Sequence, residues 1–248
     1  MQHTYDVVLV LGSGPNAPEA RHWPKAMFDR IVTINNAWAV RPDWDDLIFP
    51  EDFPAARRPA VLKNGQRAIE AAEFVPAQNA CGGVVFAGGT MAFTAGYWVL
   101  HALRPRVMAF LGCDMVYPET GPTHYYGTGT ADPLRCDVTL RDLGAKSARL
   151  GALAAAAGCR CVNLSTADSR LLFPRAPAAH LRGLPAPSCP ESVGIMRERE
   201  AALKYAVPSG RYWEEAARFD VDALDQIDAG WRSAWADMVR AQASGVAA

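Results

Sequence analysis

Five consecutive aliphatic residues, Val7-Val8-Leu9-Val10-Leu11, stop abruptly at Gly12-Ser13-Gly14-Pro15. A short, unbroken apolar run that ends in a turn signals a strand buried on both faces, the condition a parallel sheet imposes. The same pattern recurs along the chain. Ile31-Val32-Thr33-Ile34 ends in Asn35-Asn36, residues 46–49 end at Pro50-Glu51-Asp52, and Val84-Val85-Phe86-Ala87 ends at Gly88-Gly89-Thr90. Residues 107–111 run into Gly112-Cys113-Asp114, and Cys161-Val162-Asn163-Leu164 closes the series.

Helical patterns alternate with these runs. Residues 91–103 are almost wholly apolar and stop at Arg104-Pro105, where proline cannot continue a helix. Over residues 140–157, Leu143, Leu150, Leu153, Ala154 and Ala157 share one helical face, with Gly158 placed as the C-terminal cap. Strands alternating with helices predict an α/β fold: a Rossmann-like, mostly parallel sheet with right-handed crossovers and helices on both faces. In such a sheet the polar strand ends meet along one edge, where ligands bind.

The division along the chain follows the same cues. Residues 1–175 read as a nucleotide-binding and catalytic domain, and 176–190 as a Pro-rich linker or wrapping segment, since residues 174–190 hold prolines at 174, 177, 185, 187 and 190. Residues 191–248 read as a helical C-terminal extension. There Asp222 is expected to cap a helix with Asp225 in its first turn, and Leu224, Ile227, Trp231, Trp235 and Met238 recur at helical spacing. That stripe is expected to pack on the α/β core; self-association into a homo-oligomer and a cap over the cleft are its other uses.

Composition narrows the function. With 25 Lys and Arg against 26 Asp and Glu, the chain lacks the basic excess that holds a domain to nucleic acid. The longest apolar stretch, residues 91–103, falls short of the ~20 residues of a membrane span, so no transmembrane segment is expected. The first residues carry no secretion-signal pattern, which makes a cytoplasmic location with reduced thiols the expectation. The six cysteines form no Cys-x-x-Cys pair, and no metal site is expected from them.

Four groups of residues could carry chemistry. Gly12, Ser13 and Gly14 follow the first strand, where glycines let backbone N–H groups approach an anionic ligand. The dinucleotide spacing Gly-x-Gly-x-x-Gly fails at Ala17, and no Gly-Lys-Ser/Thr follows for a P-loop. Asn35 follows the second strand, and its carboxamide suits a sugar hydroxyl or a base edge as well as a turn. Gly88, Gly89 and Thr90 open the apolar helix, where unpaired N–H groups suit a phosphate and Thr90 suits an N-cap. The long loop after residue 111 carries Asp114, Tyr117, His124, Tyr125 and Tyr126. A histidine there could deprotonate a hydroxyl, and tyrosines could stabilise a departing phosphate. Glu51 and Asp52 could join Asp114 around Mg²⁺ in an ATP-dependent pyrophosphoryl transfer.

Taken in order, Gly12-Ser13-Gly14-Pro15, Asn35, Gly88-Gly89, Gly112-Cys113-Asp114 with Tyr117, and His124-Tyr125-Tyr126-Gly127 resemble the motifs of bacterial lipooligosaccharide sialyltransferases. They are similar as well to the related hydroxymethylpterin pyrophosphokinase-like family. The resemblance covers about residues 5–175. It implies a glycosyltransferase that moves a sugar from a nucleotide-activated donor, a CMP-sugar in that family, to a carbohydrate hydroxyl. Ser13, Asn35, Gly88 and Gly89 would then hold the donor, and Tyr117 and Tyr125 would steady the leaving phosphate. The family's catalytic histidine closes a His-Tyr-x-Gly-His pattern whose last position here is Thr128. The base is therefore His124 or is missing, and a non-catalytic nucleotide- or glycan-binding protein stands as the alternative.

Overall fold

The computed structural model describes residues 3–129, 135–189 and 192–245. Pro190 and the outermost residues of the first and last segments lie outside them. Six strands, β1 (Tyr5–Leu11), β2 (Arg30–Ile34), β3 (Asp46–Ile48), β4 (Arg67–Ile69), β5 (Pro105–Leu111) and β6 (Arg160–Asn163), form one sheet in the order β4-β3-β2-β1-β5-β6. Every pairing is parallel. The fold is α/β and Rossmann-like. The chain winds outward from β1 to β4, then crosses to β5 on the other flank of β1. The reversal opens a crevice beyond the carboxyl ends of β1 and β5.

Strand alternation divides the core in two. Val8 and Val10 face one cluster, with Val32, Met108 and Phe110, while Val7, Leu9 and Leu11 face the other, with Ile31, Val107 and Leu111. Helices α1 (Ala71–Ala80), α2 (Val84–Ala87), α3 (Met91–Trp98), α4 (Leu143–Ala156), α5 (Ser192–Leu203) and α6 (Val221–Gly245) contribute to the first cluster. The second is closed by short 3-10 turns at Ala17–His22, Asn35–Ala39 and Ala178–Gly183.

Two sequence expectations need correction, and one strand was not expected. Residues 84–87 form a helical turn, α2, and not a strand; glycines with positive φ at 83 and 88 bracket it and leave no room for an extended ladder. The fourth strand is instead β4, at the edge, where Ile69 is its one fully buried side chain. There Arg67 reaches across to the buried Asp46 carboxylate at 2.7 Å, which Arg30 of β2 also holds at 2.8 Å. The cap of α6 is Asp220, whose carboxylate accepts the Ala223 N–H at 3.0 Å; Asp222 lies in the first turn and Asp225 beyond it.

The tryptophan stripe of α6 is buried on α4. Leu224, Ile227, Trp231, Trp235 and Met238 all belong to the first core cluster. Trp235 approaches α4 at Gly151 so closely that a Cβ there would lie 2.3 Å from the indole. The Pro-rich segment wraps the second face: Asn163 N–H donates to Pro174 O at 2.9 Å, and the Arg106 guanidinium holds Leu184 O at 2.6 Å. No described helix is long and apolar enough to cross a membrane.

Candidate functional site

The two strand ends at the crevice touch through bare backbone. Gly12 N–H donates to Leu111 O and Gly14 N–H to Gly112 O, both at 2.8 Å. A Cβ on Gly12 would stand 2.3 Å from Gly112 O, and one on Gly112 would stand 2.7 Å from Gly12 O. The glycines are thus required by strand-end packing, and the N–H groups of Gly12 and Gly14 are already committed. Above them lies a cavity of about 660 Å³. That volume is within the range of small-molecule sites.

Residues 12–15 and 112–117 form its floor, and Asn35 and Asn36 stand on the β2 side with Phe53 and Arg57 beyond them. Thr90, Met91 and Ala92 and the loop residues Thr123, His124, Tyr126, Thr128 and Gly129 complete the lining. Of the residues expected from the sequence, Gly12, Ser13, Gly14, Asn35, Thr90, Asp114, Tyr117 and His124 meet here. Gly88, Gly89 and Tyr125 do not line the cavity.

The displaced residues have other partners. A Cβ on Gly88 would meet Lys146 and Phe93 at 3.0 and 3.1 Å, so this glycine packs against α4. Gly89 N–H donates to Thr139 Oγ1 at 3.0 Å, and that hydroxyl donates to Asp137, so the amide is not available to a phosphate. Thr90 is the N-cap of α3: its Oγ1 accepts the Phe93 N–H at 3.3 Å. Among the described residues the N–H groups of Met91 and Ala92 have no acceptor at the cavity wall, the usual condition of a helix start. Any anion bound by this helix therefore sits one step further along the chain than Gly88-Gly89 suggested. Tyr125 gives its hydroxyl to Asn36 O at 2.7 Å, while its N–H donates to Ser13 O at 3.0 Å. It ties the loop down over the crevice.

His124 is half-buried between two rings, stacked on Tyr126 at 5.0 Å with Tyr117 at 6.1 Å. Burial lowers its pKa below the ordinary 6.5, so it is neutral at pH 7. Its Nδ1 lies 2.9 Å from Thr123 Oγ1. That hydroxyl also accepts the Gly129 N–H at 2.9 Å and donates to Gly129 O at 3.2 Å. When Thr123 gives its one proton to Gly129 O, it accepts from Nδ1–H. The neutral ring then carries its free lone pair on Nε2, the form a base needs.

Asp114 is held by carboxamides and not by cations: Asn16 Nδ2 donates to one carboxylate oxygen at 2.9 Å and Asn163 Nδ2 approaches the other at 3.5 Å. Asn35 has φ 52°, a left-handed conformation that asparagine tolerates, and its Oδ1 is buried without a partner. A ligand hydroxyl or amine would satisfy that acceptor. Cys113 also lines the cavity, but burial first and the Asp114 charge second push its pKa up, so it stays a thiol. Glu51 faces Arg211 at 3.7 Å, and neither it nor Asp52 lines the cavity, so the acidic set suggested for Mg²⁺ does not assemble. Among the described residues no group of three His, Cys, Asp or Glu is placed to hold a metal ion.

Comparison with protein-family models, with curated proteins and with solved structures finds no match. The function therefore rests on the chemistry of the crevice. Sequence reasoning overlooked Arg57, Thr123 and the free amides of Met91 and Ala92. Thr123 precedes His124 directly and carried a readable hint; Arg57 is one of 21 arginines and carried none.

Proposed function

We propose that the protein is a transferase that binds a nucleotide-activated sugar in the crevice and passes the sugar to a hydroxyl acceptor. The observation that carries this reading is the convergence, in one cavity, of unpaired α3 amides, an unsatisfied Asn35 carbonyl and a neutral histidine. The resemblance of the same segments to lipooligosaccharide sialyltransferases supports it and favours a CMP-sugar.

Each group has a task that its environment suits. His124 Nε2 takes the proton of the acceptor hydroxyl as its oxygen attacks the anomeric carbon. The bond from that carbon to the donor phosphate oxygen breaks, and the electron pair leaves with the phosphate. The N–H groups of Met91 and Ala92, at the positive end of α3, stabilise the charge that develops there, joined by the Tyr117 hydroxyl. Asn35 Oδ1 accepts from a ribose hydroxyl or a base amine. Asp114, oriented by Asn16 and Asn163, accepts from hydroxyls of the sugar. Tyr125 positions the loop and takes no part in the transfer.

The pyrophosphoryl alternative needs an acidic pair that the crevice does not bring together. A binding protein without catalysis is the outcome if nucleotide binds and His124→Gln leaves donor turnover unchanged. Thermal unfolding with CMP, CDP, UDP and GDP tests the reading directly, because a ligand that binds only the folded state stabilises by about 2.7 kcal/mol at 100 times its Kd. At least one nucleotide raises Tm at millimolar concentration; no response from any of them sinks the proposal.

A further inference from the structure

Among the described residues that line the cavity, Arg57 is the only lysine or arginine. Most neighbouring arginines are committed: Arg30 to Asp46, Arg41 to Asp43, and Arg58 to Phe53 O at 2.7 Å with its guanidinium 4.3 Å from the Phe49 ring. The Arg57 guanidinium has no carboxylate, carbonyl or ring partner among the described residues. Glu51, six residues earlier, turns to Arg211 instead. Yet the backbone that carries Arg57 is fixed, because Trp38 Nε1 donates to Arg57 O at 2.8 Å and Arg57 N–H closes a turn onto Pro54 O at 2.9 Å.

The charge balance of the cavity gives that guanidinium a purpose. Among the described residues of the lining Asp114 is the one acidic group, and lowered basicity keeps His124 neutral. Without Arg57 the side chains of the described lining would carry a net negative formal charge. We propose that Arg57 is the residue that selects charged ligands for this crevice, binding a phosphate or carboxylate oxyanion through its planar fork. The inference rests on the nucleotide-sugar reading only for the source of the oxyanion. The donor phosphate is one source, and an acid group on the transferred or accepting sugar is the other.

Calorimetric titration of wild type, Arg57→Gln and Arg57→Lys tests it, with CMP, UDP and GDP each set beside its nucleoside, glucuronate beside glucose, and inorganic pyrophosphate. The side chain makes no internal bond, so the variants should unfold at the wild-type temperature. For the nucleotides, Arg57→Gln is expected to weaken binding about 10- to 100-fold, the loss of one charged hydrogen-bonded contact, with the nucleosides unchanged and Arg57→Lys in between. The same loss confined to glucuronate places the oxyanion on the sugar and supports the inference equally. Undiminished binding of nucleotides, glucuronate and pyrophosphate by Arg57→Gln overturns the role of Arg57 while leaving the nucleotide-sugar reading intact. Arg57-dependent binding of pyrophosphate or glucuronate with no nucleotide bound keeps the inference and removes that reading. No binding of any probe by wild type overturns both.

Discussion

Replacing Glu200 by alanine should strip the helical layer of its central tie. The Arg149 guanidinium, 0% exposed in α4, receives the Glu200 carboxylate of α5 through two bonds, at 2.6 and 2.7 Å. The same guanidinium bonds the Tyr97 hydroxyl of α3 at 2.6 Å and Cys81 O, and Trp231 Nε1 of α6 donates to Glu200 at 2.6 Å. Burial alone would lower the Arg149 pKa; the Glu200 charge and its hydrogen bonds outweigh this and raise it, so the cation persists at any working pH. Glu200→Ala leaves that cation buried with neutral partners and orphans the indole N–H. Breaking one side of a buried pair costs about 3–5 kcal/mol. For a chain of 248 residues, that corresponds to a fall in Tm on the order of 6–10 °C. Calorimetry of the single variant and of Arg149→Met with Glu200→Leu measures it. The double variant should recover much of the loss, since the apolar pair needs no charge compensation. A single variant within about 1 °C of wild type, or a double variant less stable than Glu200→Ala, would refute the argument.

Other expectations follow from the crevice. Gly12→Ala forces a Cβ to 2.3 Å from Gly112 O and should cost about 1–3 kcal/mol in chemical denaturation; a neutral substitution would contradict the backbone contact. Because burial depresses the His124 pKa below 6.5, the unfolded chain binds that proton more readily. The stability this group contributes is present above pH 6.5 and is lost as pH falls through the folded pKa, so His124→Gln should flatten that part of the pH–stability curve. An NMR midpoint for His124 at or above 6.5 would contradict it. Thr123→Val removes the acceptor of Nδ1–H and should shift the ring's nitrogen resonances toward a mixture of tautomers, while Thr123→Ser keeps them; unchanged resonances in Thr123→Val would show that the hydroxyl does not set the tautomer.

Much of the sheet could be read from the sequence because β1, β2, β5 and β6 are buried on both faces and announce themselves as aliphatic runs. β4 could not, since its three residues offer one buried side chain and owe their place to Arg67 reaching Asp46 across the sheet. Val84-Val85-Phe86-Ala87 misled because burial on all sides erases periodicity, and a four-residue run then fits a strand or a helical turn equally. Helix α1 hides behind Pro76 in its interior, ordinarily a helix breaker. At the site, turn residues at strand ends were legible because topology carries them to one edge. Which amides stay unpaired was not, because that depends on Thr139 reaching Gly89 from 50 residues away. The same holds for Tyr125, whose hydroxyl is taken by a carbonyl 89 residues distant.

The account stands or falls on where a nucleotide binds. A crystal structure grown with the nucleotide that most raises Tm should place phosphate oxygens about 3 Å from the N–H groups of Met91 and Ala92, with a donor group of the ligand on Asn35 Oδ1. A nucleotide bound elsewhere on the surface, or in the crevice with its phosphate turned away from the start of α3, would contradict it.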